Sequence, residues 1–218
     1  MRAFIVTYFI LIMASVSHAE VKLKPATTEE GYLARLLLNE SPFPGEAGWV
    51  SEADTKSCML QILYVLDSRI NNIPPGYSQS QIAAVRTTDI IDVITVGGEK
   101  GQCDGFYRDA SGQFTAVPRV EKRINYLLNI ANDGAPGKFA RLMAYGQGLA
   151  TAYYEGGITE ADRFAGLSLV KSQQVTGRAY SWMTDKDVYS PGGRFVRIPD
   201  QHYGSLGGNR FFTLLRKP

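Results

Sequence analysis

Apolar residues recur at helical spacing in several stretches of the chain. The first such stretch begins near Thr28 and is stopped by Pro42, and its period is carried by Leu33, Leu36 and Leu37. After a polar, turn-like segment at 51–55, a second stretch marks one face of a helix that runs to about Asn71. Its apolar residues are Met59, Ile62, Leu63, Leu66 and Ile70. Two amphipathic helices are therefore predicted in the first third of the chain.

Shorter patterns follow, and they predict further helices and then strands. A helical turn is predicted at 81–85, a buried helix or strand at 89–96, an ordered loop at 99–118, a helix from Val120, a helix from Pro136 to Tyr154, and a short helix capped by Thr159. After Gly177 the pattern indicates a hairpin around Ser190–Gly193, a strand at 194–198 and a closing strand at 210–215. The predicted fold class is α+β, a mostly helical domain with a small C-terminal β element.

The first 19 residues have the pattern of a secretory signal. Arg2 supplies a positive charge, an apolar run extends from Phe4 to Ala14, and small residues precede a cleavage site after Ala19. The run is too short for a spanning helix, which needs about 20 apolar residues. We therefore predict a cleaved signal peptide at 1–19, a single domain at 20–218 without a membrane anchor, and a periplasmic or secreted location.

The charges and the remaining motifs restrict the classes of partner. The formal net charge is only +2, and the basic residues are scattered along the chain, so no nucleic-acid partner is predicted. No cluster has metal-ligand spacing and no glycine-rich phosphate loop is present, so neither a metal nor another cofactor is expected. No regulatory protein partner can be named from these residues.

Two cysteines, Cys58 and Cys103, remain in a chain that is predicted to enter an oxidising compartment. Cysteine pairs in such compartments commonly form disulfides. We therefore expect a bridge between them, which would stabilise the fold by roughly 4 kcal/mol in the loop-closure description.

Glu40 is the best candidate for a catalytic group. It lies three and four residues beyond Leu37 and Leu36, so a continuous helix places its side chain beside the apolar stripe. Partial desolvation there disfavours the anion and raises the pKa of the carboxyl, as a general acid requires. The break at Pro42 can leave Glu40 at the mouth of a groove.

The residues around Glu40 also resemble a known family. The run from Ala34 to Ser41, then Gly45-Glu46, then the helix end from Ile62 to Ile70 resembles the cell-wall hydrolases of the spore-cortex-lytic (SleB-like) type. Further similar segments are 93–102, 104–107 and 206–212. The resemblance implies a lysozyme-like fold with Glu40 as the catalytic residue. It also implies cleavage of peptidoglycan glycan strands between N-acetylmuramic acid and N-acetylglucosamine, often by lytic transglycosylation.

A second carboxylate is not placed convincingly by the sequence. The candidates are Glu46, Glu52, Asp54 and Asp104. Since a transglycosylase can work with one carboxyl, the single good candidate favours that route over hydrolysis. The residues that could hydrogen-bond the sugars or their N-acetyl groups are Gln102, Tyr107 and Asn209, with Glu46 as a further candidate on its loop.

Two other functions remain open. Cys58 at a helix start and His202 in a late segment follow the order of cysteine peptidases, which would make an amidase of wall stem peptides. A non-enzymatic wall-binding or inhibitor protein is the other alternative, because Ser41, Cys103 and Asn209 depart from the residues usual in the family.

Overall fold

The computed structural model describes residues 20–134, 137–184 and 191–217. The predicted signal peptide at 1–19, Pro136 and Ser190 lie outside the described residues. The α-helices are α1 (Glu29–Asn39), α2 (Glu52–Asn71), α3 (Gln79–Ala83), α4 (Ile90–Thr95), α5 (Pro118–Asp133) and α6 (Lys138–Tyr154). The strands are β1 (Phe106–Arg108), β2 (Phe114–Ala116), β3 (Leu167–Val170), β4 (Gln173–Gly177), β5 (Ser181–Thr184), β6 (Phe195–Arg197), β7 (Ser205–Leu206) and β8 (Asn209–Leu214). The α+β class is thereby confirmed.

Side-chain caps fix where the helices begin. The hydroxyl of Thr28 accepts a hydrogen bond from Gly31 N at 3.1 Å, so α1 begins at Glu29, close to the predicted start near Thr28. Ser51 accepts from Asp54 N in the same way, and α2 therefore includes the polar residues that the sequence suggested as a turn. Asp89 caps α4, so the ambiguous segment at 89–96 is a helix.

The core lies around α1, which is buried on most of its surface. Leu33, Leu36, Leu37 and Leu38 are all fully buried, and α1 packs against α6, α5 and α2. A side chain at Gly146 of α6 would meet Leu38, because a Cβ there would lie 2.8 Å from Leu38 Cδ2. The close approach of these two helices holds the end of α1 in a fixed place. No helix among the described residues is long and apolar enough to cross a membrane.

The last third of the chain forms a small antiparallel sheet beside the helices. The strand order is β5-β8-β6, and β7 pairs with β8 through the two-residue turn Gly207-Gly208. Both glycines have positive φ, 53° and 66°, as a tight hairpin of this kind requires. The closing strand predicted at 210–215 is thus the central strand, and β5 and β6 flank it instead of pairing with each other.

Two local predictions are wrong, and one hairpin was not predicted. The segment at 99–118, predicted as a loop, contains the hairpin β1–β2, and Phe106 of this hairpin is fully buried. The hairpin forms because Asp109 Oδ1 accepts hydrogen bonds from Ser111 N and Gln113 N and closes the turn. Thr159 caps no helix, since residues 155–166 are irregular. The hairpin β3–β4 was not predicted, because its turn residues Lys171 and Ser172 carry no strong turn signal although both have positive φ.

The predicted disulfide is also absent. Cys58 and Cys103 are both free and buried, and they are not close to each other. Cys58 packs from α2 against Gly207, whereas Cys103 follows a 3-10 turn at 98–100. A bridge needs Cα atoms within about 7 Å, so each thiol stays reduced, and both are buried in the same hydrophobic core.

Candidate functional site

A cleft of about 570 Å³ opens where the end of α1 faces the tip of the sheet. One wall is the end of α1 and the bend after it, residues 39–42 and 46–47. The facing wall is the β7–β8 turn with Asn209, and Thr184 at the end of β5. Asp104, Arg119 and Arg123 contribute charged side chains to the lining. In the sheet register Thr184 lies opposite Asn209, so the two strand ends meet at the cleft.

Glu40 lies in this cleft as the C-terminal cap of α1. Its side chain is partly exposed. Its Oε2 accepts a hydrogen bond from Trp182 Nε1 at 3.1 Å, and its Oε1 accepts from Asn39 Nδ2 at 3.2 Å. Among the described residues no ion pair involves Glu40. Within the described part of the chain, the carboxyl therefore faces the cleft with two neutral hydrogen-bond donors and no cationic partner.

Burial raises the pKa of the Glu40 carboxyl above its ordinary value. The hydrogen bonds from Trp182 and Asn39 and the positive charge of Arg123 act in the opposite direction, while the negative charge of Asp104 adds to the rise. The direction is the one predicted from the position of Glu40 beside the leucine stripe. A carboxyl of this kind is suited to carry a proton to a leaving group.

Arg123 of α5 fixes the backbone around Glu40. Its guanidinium donates to the carbonyl oxygens of Leu38, Asn39 and Ser41 at 2.8, 3.2 and 3.0 Å. These are carbonyls at a helix end that otherwise lack partners. The same guanidinium binds Glu46 through two hydrogen bonds, at 3.1 and 2.6 Å. The basic side chain thus ties the end of α1 to the bend that follows it.

Glu46 lines the cleft, but its carboxylate is engaged within the protein. Besides binding Arg123, it accepts a hydrogen bond from Phe43 N at 2.7 Å. These contacts close the bend after Pro42 and leave Glu46 as a residue that shapes the site. Its predicted contact with sugar stays a prediction.

Asn209 holds Glu40 from the sheet side. Its Nδ2 donates to the carbonyl oxygen of Glu40 at 2.6 Å, and Cys58 Sγ lies 3.3 Å from the same nitrogen. The side chain is 97% buried, since Asn209 exposes only 3% of its surface. Asn209 thus lies in the site as predicted, although its amide nitrogen is committed to the protein backbone.

The β7–β8 turn presents bare backbone to the cleft. Asp54 Oδ2 accepts from Gly207 N at 2.7 Å, which anchors the turn to α2. A Cβ at Gly207 would lie 2.7 Å from Cys58 Cβ, and one at Gly208 would lie 3.0 Å from Gly48 Cα. Glycine is required at both positions for packing as well as for backbone conformation.

Gln102 and Tyr107 do not line the cleft. The carboxamide of Gln102 accepts from Arg69 at 2.5 Å and donates to Ala83 O at 2.7 Å, so both of its ends are satisfied within the protein. Tyr107 lies in the β1–β2 hairpin, where its carbonyl accepts from the hydroxyl of Tyr32. Both residues thus lie outside the cleft lining, and their predicted contact with sugar stays a prediction.

Trp182 and Arg123 are the site residues that the sequence analysis missed. Trp182 lies 142 positions from Glu40 and reaches it only because β5 pairs with β8. No local pattern carries that information. Arg123 lies three residues after Val120 and four before Leu127, on the buried face of α5, so its helical spacing could have indicated that this basic side chain turns inward.

Cys58 and His202 do not form a dyad. Burial raises the pKa of the Cys58 thiol to about 12, and its side chain is fully buried. His202 lies in a short 3-10 turn at 200–202, and no hydrogen bond between described residues joins it to Cys58. No group of three or more His, Cys, Asp or Glu side chains in the described part of the chain is arranged to hold a metal ion.

Comparisons of the chain with protein-family models, with curated proteins and with solved structures gave no match.

Proposed function

We propose that the chain cleaves the glycan strands of bacterial peptidoglycan, with Glu40 acting first as general acid and then as general base. One observation carries the proposal. Glu40 is a partly buried carboxyl of raised pKa that faces an open cleft, accepts a hydrogen bond from an indole N–H and forms no ion pair with a described residue. This is the environment that a proton donor to a glycosidic oxygen needs.

The chemistry follows from the two states of the carboxyl. Protonated Glu40 gives its proton to the oxygen that links N-acetylmuramic acid to N-acetylglucosamine, and the bond from that oxygen to the muramic C1 breaks. The hydrogen bond from Trp182 Nε1 stabilises the carboxylate that remains. The carboxylate then takes the proton of the muramic C6 hydroxyl while that oxygen bonds to C1. An anhydro sugar forms, and Glu40 is protonated again.

The four candidates for a second carboxylate that the sequence analysis named, all among the described residues, favour this one-carboxyl route. Asp54 accepts from Gly207 N, Glu46 is bound by Arg123, and Glu52 is bound by Arg141 and Lys56. Asp104 is 71% exposed and is paired with Arg119 at 2.5 Å. None of the four is free to serve as a nucleophile, so we infer lytic transglycosylation in preference to hydrolysis through a second carboxylate.

The sequence resemblance points to the same substrate. The similarity to the SleB-like cell-wall hydrolases runs through α1 with Glu40 and through the segment at 206–212, within which Asn209 itself departs from the family. A lysozyme-like fold is part of this proposal. Peptidoglycan as substrate agrees with the predicted export signal and with a periplasmic or secreted location.

The proposal is tested with dye-labelled sacculi and two variants that differ only in which carboxyl is lost. Glu40→Gln is expected to lower the release of soluble fragments by about a hundredfold or more, the usual contribution of general acid catalysis. Asp104→Asn, at an exposed carboxylate of the same cleft, is expected to retain most of the activity.

The outcomes also separate the alternatives. Equal losses in both variants would indicate a two-carboxylate hydrolase. Full activity in Glu40→Gln, with loss in a folded Cys58→Ser variant, would replace the proposal by the stem-peptide amidase. Tight binding of sacculi without release of fragments by the unaltered protein would indicate a wall-binding protein.

A further inference from the structure

Arg69 is a buried cation for which the described residues supply no carboxylate partner. Its side chain lies on α2 and the residue is only 5% exposed. Burial lowers the pKa of Arg69 to about 10, so the guanidinium is still charged at neutral pH. A buried charge without a counter-ion destabilises a fold, and an apolar side chain of similar volume would avoid that cost. Stability alone therefore gives no reason for an arginine at this position.

The contacts of Arg69 lead towards Glu40. Its Nε donates to the carbonyl oxygen of Tyr180 at 2.8 Å, two residues before Trp182 in the chain. Its Cζ lies 5.5 Å from the centre of the Trp182 ring, within the range of a cation–π contact. The guanidinium thus contacts both the backbone that carries Trp182 and the indole itself.

Gln102 fixes Arg69 in turn. Its Oε1 accepts from Arg69 Nη1 at 2.5 Å, and its Nε2 donates to Ala83 O at 2.7 Å. The carboxamide therefore links the arginine to the end of α3. A continuous series of contacts runs from Gln102 through Arg69 and Trp182 to Glu40 Oε2.

We propose that Arg69, held by Gln102, is a positioning residue that keeps the indole N–H of Trp182 directed at Glu40. The inference rests on the proposed function of Glu40. It gives the buried charge a role, because an indole that turns away leaves the Glu40 carboxylate without its stabilising donor after proton transfer. It also assigns a role to Gln102, which the sequence analysis had placed among the sugar contacts.

The pH profile of the activity reports on the hydrogen bond from Trp182 to Glu40, provided that the other groups facing Glu40 stay unchanged. Arg123 approaches from α5, Asp104 from the segment before β1, and the Cys58 and Cys103 thiols from the core. Burial raises the pKa of both thiols to about 12, so they are neutral at working pH. None of these groups forms a hydrogen bond with Arg69. The charge of Arg69 lowers the pKa of Cys103, so removing that charge raises this pKa further and leaves the thiol neutral.

The experiment combines kinetics with the indole N–H resonance of Trp182 in ¹⁵N-labelled protein. The resonance is assigned with Trp182→Phe, since Trp49 is the second tryptophan of the chain. In the unaltered protein it should move with pH as Glu40 ionises, and Glu40→Gln should abolish that movement. Arg69→Met should shift or broaden the resonance.

The kinetic effect of Arg69→Met should be a loss in kcat of about tenfold or more, the value of one hydrogen bond to a charged group, with little change in KM. The basic limb of the pH profile should move to higher pH, because loss of the N–H donor raises the pKa of Glu40. Arg69→Lys keeps the positive charge but lacks the planar guanidinium with its several N–H donors, so its kcat should lie between those of Arg69→Met and the unaltered protein. Arg163→Met is the matched control, since Arg163 lies over Tyr203 at 4.7 Å and does not line the cleft.

A folded Arg69→Met protein with an unaltered indole resonance and an unaltered kcat would overturn the inference. If Arg69→Met fails to fold, Gln102→Leu gives the same readout with the arginine in place, and an unchanged resonance and pH profile there would equally overturn it. An indole resonance that depends on Arg69 in a protein that cleaves no glycan would refute the proposed function while leaving the positioning contact established.

Discussion

Replacing Arg123 by methionine removes the side chain that joins the end of α1 to the bend after it. The guanidinium makes three hydrogen bonds to carbonyl oxygens and two to Glu46. The two charged side chains are 25% and 35% exposed, so solvent screens part of their attraction. Weighing charge-assisted hydrogen bonds against that screening, we expect a loss of about 2 to 3 kcal/mol in the free energy of unfolding.

For a domain of this size the loss corresponds to a decrease of roughly 4 to 12 °C in Tm. Urea unfolding gives the free energy directly. A double-mutant cycle with Glu46→Gln isolates the pair, and we expect a coupling energy of about 1 kcal/mol, in the usual range for residues in contact. Activity should fall by about a hundredfold, because Glu40 shifts when the carbonyl oxygens before and after it lose their donor.

Arg141→Met is the matched control, because Arg141 forms an ion pair with Glu52 but its side chain is 50% exposed. Its free energy of unfolding should change by about 0.5 kcal/mol or less. The argument is refuted if Arg123→Met matches this control in both stability and activity.

Three further outcomes follow from the structure. Glu40→Gln should be as stable as the unaltered protein below about pH 4 and more stable above it. The pKa of Glu40 is raised in the folded state, so the unaltered protein loses the stability contributed by protonated Glu40 as pH rises through that pKa. Urea unfolding at several pH values measures the difference. Cys58 and Cys103 should both resist alkylation in the native protein and both react in denaturant without a reductant, and a mass for a bridged pair would contradict the structure. Gly207→Ala should destabilise the fold by about 1 to 3 kcal/mol through its positive φ and the contact with Cys58. Gly112→Ala is the control, because Gly112 also has positive φ but has no described atom within 4 Å of its Cβ position, and it should have the smaller effect in thermal unfolding.

The helical part of the fold could be predicted because its signals are local. The leucine period and the stop at Pro42 fixed α1 to within a few residues, and the same argument put Glu40 beside buried apolar side chains at the mouth of a groove. The partial burial and the raised pKa of the Glu40 carboxyl could be predicted from the spacing of the leucines along the sequence. The catalytic role of Glu40 stays a prediction.

The rest of the site depends on contacts between residues far apart in the chain. Among the described residues, the hydrogen-bond donors to Glu40 from outside α1 are Trp182 and Asn209, and both are carried by strands of the sheet. Gln102 was assigned to the site from a motif, yet its carboxamide binds Arg69 behind the indole. The cysteines show the same limit, since compartment and number suggested a bridge that depends on a distance the sequence does not contain.

Mass spectrometry of the fragments released from purified sacculi tests the central claim most directly. The account predicts disaccharide-peptides that end in anhydro-muramic acid, released by the unaltered protein and by Asp104→Asn and lost in Glu40→Gln. Fragments that end in reducing muramic acid, or free stem peptides with intact glycan strands, would contradict it.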